Sequence, residues 1–110
     1  MSRATPIARL ADLGGLILDV RLHALQVAAR ARQESLDRLA GLAAAATLVD
    51  LPPVAAHQAE VRYQAWADAR RMEINLILAR QTARMLEEQA AAREAFGRVQ
   101  ALRALRDRKR

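Results

Sequence analysis

The sequence predicts an all-α protein, an antiparallel two-helix coiled-coil hairpin, and three observations lead there. From Val54 to Arg110 there is no proline and a single glycine, Gly97. At ~1.5 Å rise per residue such a run would form a helix roughly 80 Å long. A chain of 110 residues cannot wrap a globular core around it, so the other half must lie alongside. Second, the chain is 53% hydrophobic, but alanine and leucine supply most of this and there is one each of Trp, Tyr and Phe. Rich in Ala, Leu, Arg and Glu, it has the composition of long helices and coiled coils. Third, Pro52-Pro53 interrupts the helix-forming residues once, near the middle.

Taken in order, Met1 to Thr5 reads as a frayed end. Thr5 can cap a helix with Pro6 at its first position. Apolar or small residues then recur at Leu10, Leu13, Ile17, Val20, Ala24, Ala28, Ala31, Ser35, Leu39, Leu42 and Ala46. This spacing suits an almost straight amphipathic helix. Its middle is small, so a partner helix should approach closest near Ala24 to Ala31. Gly14-Gly15 should loosen the first turns, since each glycine costs about 1 kcal/mol inside a helix, and Gly41 is a milder case.

Two prolines cannot continue a helix, and the residue before a proline is pushed out of helical geometry. The first helix is therefore placed at about 6–48, the bend at about 48–53 and the second helix at about 54–108. So short a bend makes the helices antiparallel neighbours. The second helix has a seam of Ala56, Ala59, Tyr63, Trp66, Arg70, Ile74, Ile77, Gln81, Met85, Gln89, Ala92, Phe96, Val99, Leu102 and Leu105. Polar residues on a seam sit at its edge or fix its register. The second helix outruns the first, and part of its C-terminal end should lie unpaired.

The net charge is +6, concentrated near the C-terminus. Arg98, Arg103, Arg106, Arg108, Lys109 and Arg110 face only Asp107 there. The absence of cysteine excludes disulfides and cysteine metal sites and fits a cytosolic protein. The N-terminus makes a poor signal peptide, carrying Asp12 and Asp19 in its apolar run. Ala40 to Val49 is far shorter than the ~20 residues that span a bilayer.

Signs of catalysis are lacking. His23 and His57 stand far apart on different helices; Asp19 and His23 read as a solvated surface pair. Glu87, Glu88 and Glu94 read as a solvated face without a pocket to shift their titration. There is no glycine-rich phosphate loop. No cofactor and no metal are expected. A pI near 11.3 would give weak, salt-sensitive affinity for polyanions, but acids interrupt the arginines along both helices and no aromatic platform accompanies the basic tail. Tyr63 and Trp66, three residues apart, share a helix face with Arg70 near the bend. They either close the hairpin over Val49 and Leu51 or form an aromatic–arginine contact patch, a composition favoured at interaction hot spots.

The segment Ile77 to Arg110 resembles the end of FliJ/YscO proteins of flagellar and virulence type III export. The resemblance rests on Arg93-Glu94, then Arg98-Val99-Gln100-Ala101-Leu102, then Leu105-Arg106-Asp107-Arg108, with Gln81 and Met85 upstream. The first helix matches only in pattern, and the chain is shorter than many members. The resemblance implies a non-enzymatic stalk, cytoplasmic and peripheral at the inner-membrane export apparatus. Its open end would enter the hexameric export ATPase and promote ring assembly or activity. That end is Ile7 to Ile17 with Val99 to Arg110, and Arg98, Arg103, Arg106, Arg108 and Arg110 would contact the ring. It further implies an export-gate membrane protein as partner, contacted through Tyr63, Trp66 and Arg70, and service to export chaperones. The other readings are a nucleic-acid-binding helical hairpin, able to dimerise into a four-helix bundle, and a generic coiled-coil adaptor or chaperone.

Overall fold

The structure, a computed structural model, describes residues 5–45 and 53–108. It contains two α-helices, α1 (Pro6–Ala45) and α2 (Pro53–Arg108), paired antiparallel as a hairpin. The start of α1 follows from its cap. Thr5 Oγ1 accepts a hydrogen bond from the Ala8 amide at 3.0 Å, and the Thr5 carbonyl accepts from the Arg9 amide at 3.0 Å. Pro6 lacks an amide hydrogen that the first turn would leave unpaired anyway. Pro53 opens α2 for the same reason. The expected bend at about 48–53 falls almost wholly outside the described residues.

The chain forms two compact units: Met1–Ala29 with Arg84–Arg110, and Arg30–Ala83. In the first, α1 turns Ile7, Ala11, Gly14, Leu18, Leu25 and Ala28 inward, each buried or half-buried. The facing residues of α2 are Met85, Glu88, Ala92, Ala95, Val99, Leu102 and Arg106. The steps alternate between threes and fours on α2, and on α1 except where the exposed Arg21 falls between Leu18 and Leu25, the 3.5-residue heptad of a coiled coil. The sequence-based spacing of an almost straight helix is corrected here. So are the inward assignments of Leu10, Leu13, Ile17 and Val20 on α1, and of Phe96 and Leu105 on α2, all of which are exposed. The heptad that packs is offset by one residue and built from smaller side chains.

Small side chains let the backbones approach. At Gly14 a Cβ would come within 3.3 Å of Val99 Cγ2 and 3.5 Å of Leu102 Cδ1. The helix runs unbroken through Gly14 and Gly15, so Gly14 serves the packing and does not loosen the chain. The helices therefore approach closely at Gly14, near the start of α1, and Ala28, within the Ala24 to Ala31 stretch expected to lie closest, is buried as well. The C-terminal turns of α2 are not unpaired: Leu102 and Arg106 remain half-buried.

In the second unit, Arg32, Ser35, Leu39 and Leu42 of α1 face Tyr63, Ala67, Arg70, Ile74, Leu78 and Gln81 of α2. Trp66 and Ile77, expected on this seam, are exposed. Ser35 is fully buried, and its hydroxyl donates to Gln81 Oε1. Beside it, Arg32 Nε donates to Thr82 Oγ1 at 3.0 Å, and the Thr82 hydroxyl in turn donates to the Leu78 carbonyl at 2.8 Å. A one-residue slip of either helix would strand these groups, so the layer holds the register, as Gln81's place on the seam suggested. The excess length of α2 lies at this end, past the described end of α1.

The glycine pair separates packing from helix propensity. A Cβ on Gly15 meets nothing within 4 Å. Gly15→Ala should stabilise the hairpin by up to about 1 kcal/mol. Gly14→Val, pressed against Val99, should destabilise it by about 1–3 kcal/mol. Urea unfolding followed by helical circular dichroism reads both, and equal shifts of the same sign would refute the close approach.

Candidate docking surface

Chemistry is sparse on this fold. Among the described residues no group of three or more His, Cys, Asp or Glu side chains could hold a metal ion. No helix there is long and apolar enough to cross a membrane. His23, His57, Asp19, Glu87 and Glu94 are exposed. The features that remain are surfaces, one in each unit.

In the second unit, Tyr63 and Trp66 have ring centroids 5.8 Å apart and planes inclined at 44°, a tilted contact that suits the ring quadrupoles. The two differ in what they do. The Tyr63 hydroxyl donates to the Leu42 carbonyl at 2.8 Å. That carbonyl belongs to the last turn of α1, where helical acceptors run out, so Tyr63 caps one helix from the other and is half-buried in doing so. Trp66 is 56% exposed. Arg70 reaches Glu73 at 2.9 Å on the helix surface. Val49 and Leu51, suggested to lie beneath the aromatics, are outside the described residues. Of the three predicted gate-contact residues, Tyr63 thus acts inside the hairpin, Trp66 faces outward, and Arg70 is half-buried at the seam edge with its guanidinium on Glu73.

In the first unit, the predicted ring-contact arginines do not act alike. Arg98 pairs with Glu94 at 2.7 Å, one turn back on α2. Arg103 and Arg106 line a groove with Asp12 and Asp19 of α1, and Arg106 also approaches Asp107 at 3.4 Å. Arg108 is exposed at the last described turn; Arg110 lies outside the described residues. Part of the basic charge is therefore answered by acids of the chain itself. Exposed pairs of this kind are worth only about 0–1 kcal/mol, so an acidic partner could displace them at little cost.

The feature that sequence reasoning misplaced is the apolar stripe of Leu10, Leu13, Ile17 and Val20. It was taken for the seam and stands outside it. With Ala95, Arg98 and Leu102 of α2, Leu10, Leu13 and Ile17 line an apolar groove. The signal was available: α1 carries two apolar heptads one residue apart, and only the one with glycine and alanine permits close packing. Compared with protein-family models, curated proteins and solved structures, the chain matches none.

The Tyr63 assignment is testable. Tyr63→Phe removes only the hydroxyl, leaving the Leu42 carbonyl without this donor; the hairpin should lose about 1 kcal/mol, seen as a lower urea midpoint. Trp66→Ala, altering an exposed ring, should change stability less. The reverse ranking would contradict the division of labour.

Proposed function

We propose that this chain is a non-catalytic helical stalk that works by docking, and that its first partner is the hexameric ATPase of a flagellar or type III export system. The single observation that carries the docking role is the first unit itself. It brings the start of α1 and the arginine-rich end of α2 together, beside large apolar side chains that the hairpin leaves exposed. The resemblance of Ile77 to Arg110 to FliJ/YscO proteins supplies the identity of the partner. On this reading Arg103, Arg106 and Arg108 meet carboxylates of the ring, with Arg106 giving up its weak pair with Asp107. Trp66 and Arg70 offer the outward face for a membrane-embedded export gate, and the chain acts in the cytoplasm at the inner face of that apparatus.

The reading is tested by ATP hydrolysis of the cognate export ATPase, with and without the full chain. A variant with Arg103, Arg106 and Arg108 all replaced by Gln keeps the buried seam of Val99 and Leu102. The native chain should raise hydrolysis, and the variant should raise it several-fold less at unchanged helicity. No change in rate, together with no complex in sedimentation, would remove the export ATPase as partner.

A further inference from the structure

The inward heptad of α1 leaves a second one facing out. Leu10, Leu13, Ile17, Val20, Ala24 and Val27 repeat in alternating threes and fours over nearly three heptads. Leu13 is 53%, Val20 67% and Val27 55% exposed. An apolar stripe with this period and length is what one helix offers another.

We propose that this stripe is the docking site for an amphipathic helix of a partner protein whose flanking positions are acidic. The argument for the occupant is charge. By helical period the residues bordering the stripe are Arg9, Leu16, His23 and Arg30 along one edge, and Gly14, Arg21 and Ala28 along the other. Every charged group of α1 at these borders is an arginine; Asp12 and Asp19 lie further round α1, in the groove with Leu16, Arg103 and Arg106. Among the described residues none of Arg9, Arg21 and Arg30 joins an ion pair. In paired helices, the residues bordering the apolar seam meet their counterparts and set partner choice. A helix with glutamates or aspartates there would answer all three arginines.

A second copy of α1 does not meet this requirement. Paired antiparallel through the stripe, Arg9 faces Arg30 and Arg21 meets only Gly14. Paired parallel, Arg9 faces Gly14, Arg21 faces Leu16 and Arg30 faces Ser35, and no acid is reached. Nucleic acid would answer the arginines but not the apolar centre between them. The proposal uses the same end of the chain as the stalk reading but does not depend on an ATPase partner.

The probe is a synthetic four-heptad helix with leucine at the two apolar positions of each heptad and glutamate at the flanking ones. A matched peptide carries lysine in place of glutamate. Each is labelled and titrated against the full chain by fluorescence anisotropy. The glutamate peptide should bind and the lysine peptide should not. The double variant Leu13→Ser, Val20→Ser should weaken binding at least about tenfold. Both positions are exposed, so its helicity and urea midpoint should stay near native. A second variant, Arg9→Gln with Arg30→Gln, should weaken binding while keeping the stripe. Failure of the glutamate peptide to bind, equal binding by the serine variant, or equal binding of the lysine peptide would each overturn the proposal. So would self-association of the chain that the serine variant abolishes, which would make a second copy the occupant. None of these outcomes bears on ATPase stimulation, which stands or falls separately.

Discussion

The close approach of two helix backbones is the constraint on which the rest of this structure depends. In the first unit the most deeply buried facing residues are small, Ala11, Ala28, Ala92, Ala95 and Val99, with Gly14 half-buried beside them. The approach is close enough that a Cβ added at Gly14 would lie 3.3 Å from a Val99 methyl. The consequence is energetic as well as geometric. A buried methylene contributes about 0.8 kcal/mol, so a seam of alanine and glycine stabilises a hairpin far less than leucine would. The leucines and valines that could have contributed more are held outside. Much of the chain's hydrophobic free energy is therefore realised only when something covers them, which ties the packing directly to a docking role.

A thin apolar seam specifies register weakly, and polar groups supply what it lacks. Ser35 and Gln81 bond across the second unit, with Arg32 and Thr82 beside them. Such a pair adds little net stability, about 1 kcal/mol, but leaving one member buried without the other costs about 1–3 kcal/mol. Its value lies in penalising slipped pairings. Glu88, in the first unit, is a different case. Its side chain is 12% exposed and bonds Arg84 at 3.2 Å through one oxygen. The other carboxylate oxygen is buried with no hydrogen-bond partner among the described residues. It occupies a seam position where an apolar residue would serve stability better.

The two helices, their caps and their antiparallel pairing were legible in the sequence, because Thr5-Pro6 and Pro52-Pro53 act locally and leave few alternatives. The seam was legible over much of α2, as at Tyr63, Ile74, Ala92 and Val99, and over the second half of α1, as at Ser35 and Leu42, but not over the first half of α1. Hydrophobicity alone favours Leu10, Leu13, Ile17 and Val20 as the inward set, whereas packing selected Ala11, Gly14 and Leu18. On α2 single positions shift by one residue in either direction, from Trp66 to Ala67 and from Phe96 to Ala95. Periodicity reports that a helix has an apolar face, but the choice between two adjacent heptads depends on interhelical distance, which is a pairwise property. Tyr63 shows the same limit at a single residue. Its proximity to Trp66 could be read from the spacing, but its bond to the Leu42 carbonyl depends on the other helix.

The most direct test of the account is the reactivity of single cysteines in a chain that has none of its own. Val20→Cys and Ala28→Cys sit on the outer and inner heptads of the same helix, 67% and 8% exposed respectively. Reaction with a maleimide should proceed at Val20→Cys as fast as in the urea-unfolded chain. At Ala28→Cys it should be slowed on the order of a hundredfold, because labelling must await local opening of the pair. Equal rates, or protection of Val20→Cys instead, would mean that the larger heptad is the seam, and would contradict both the packing and the docking face derived from it.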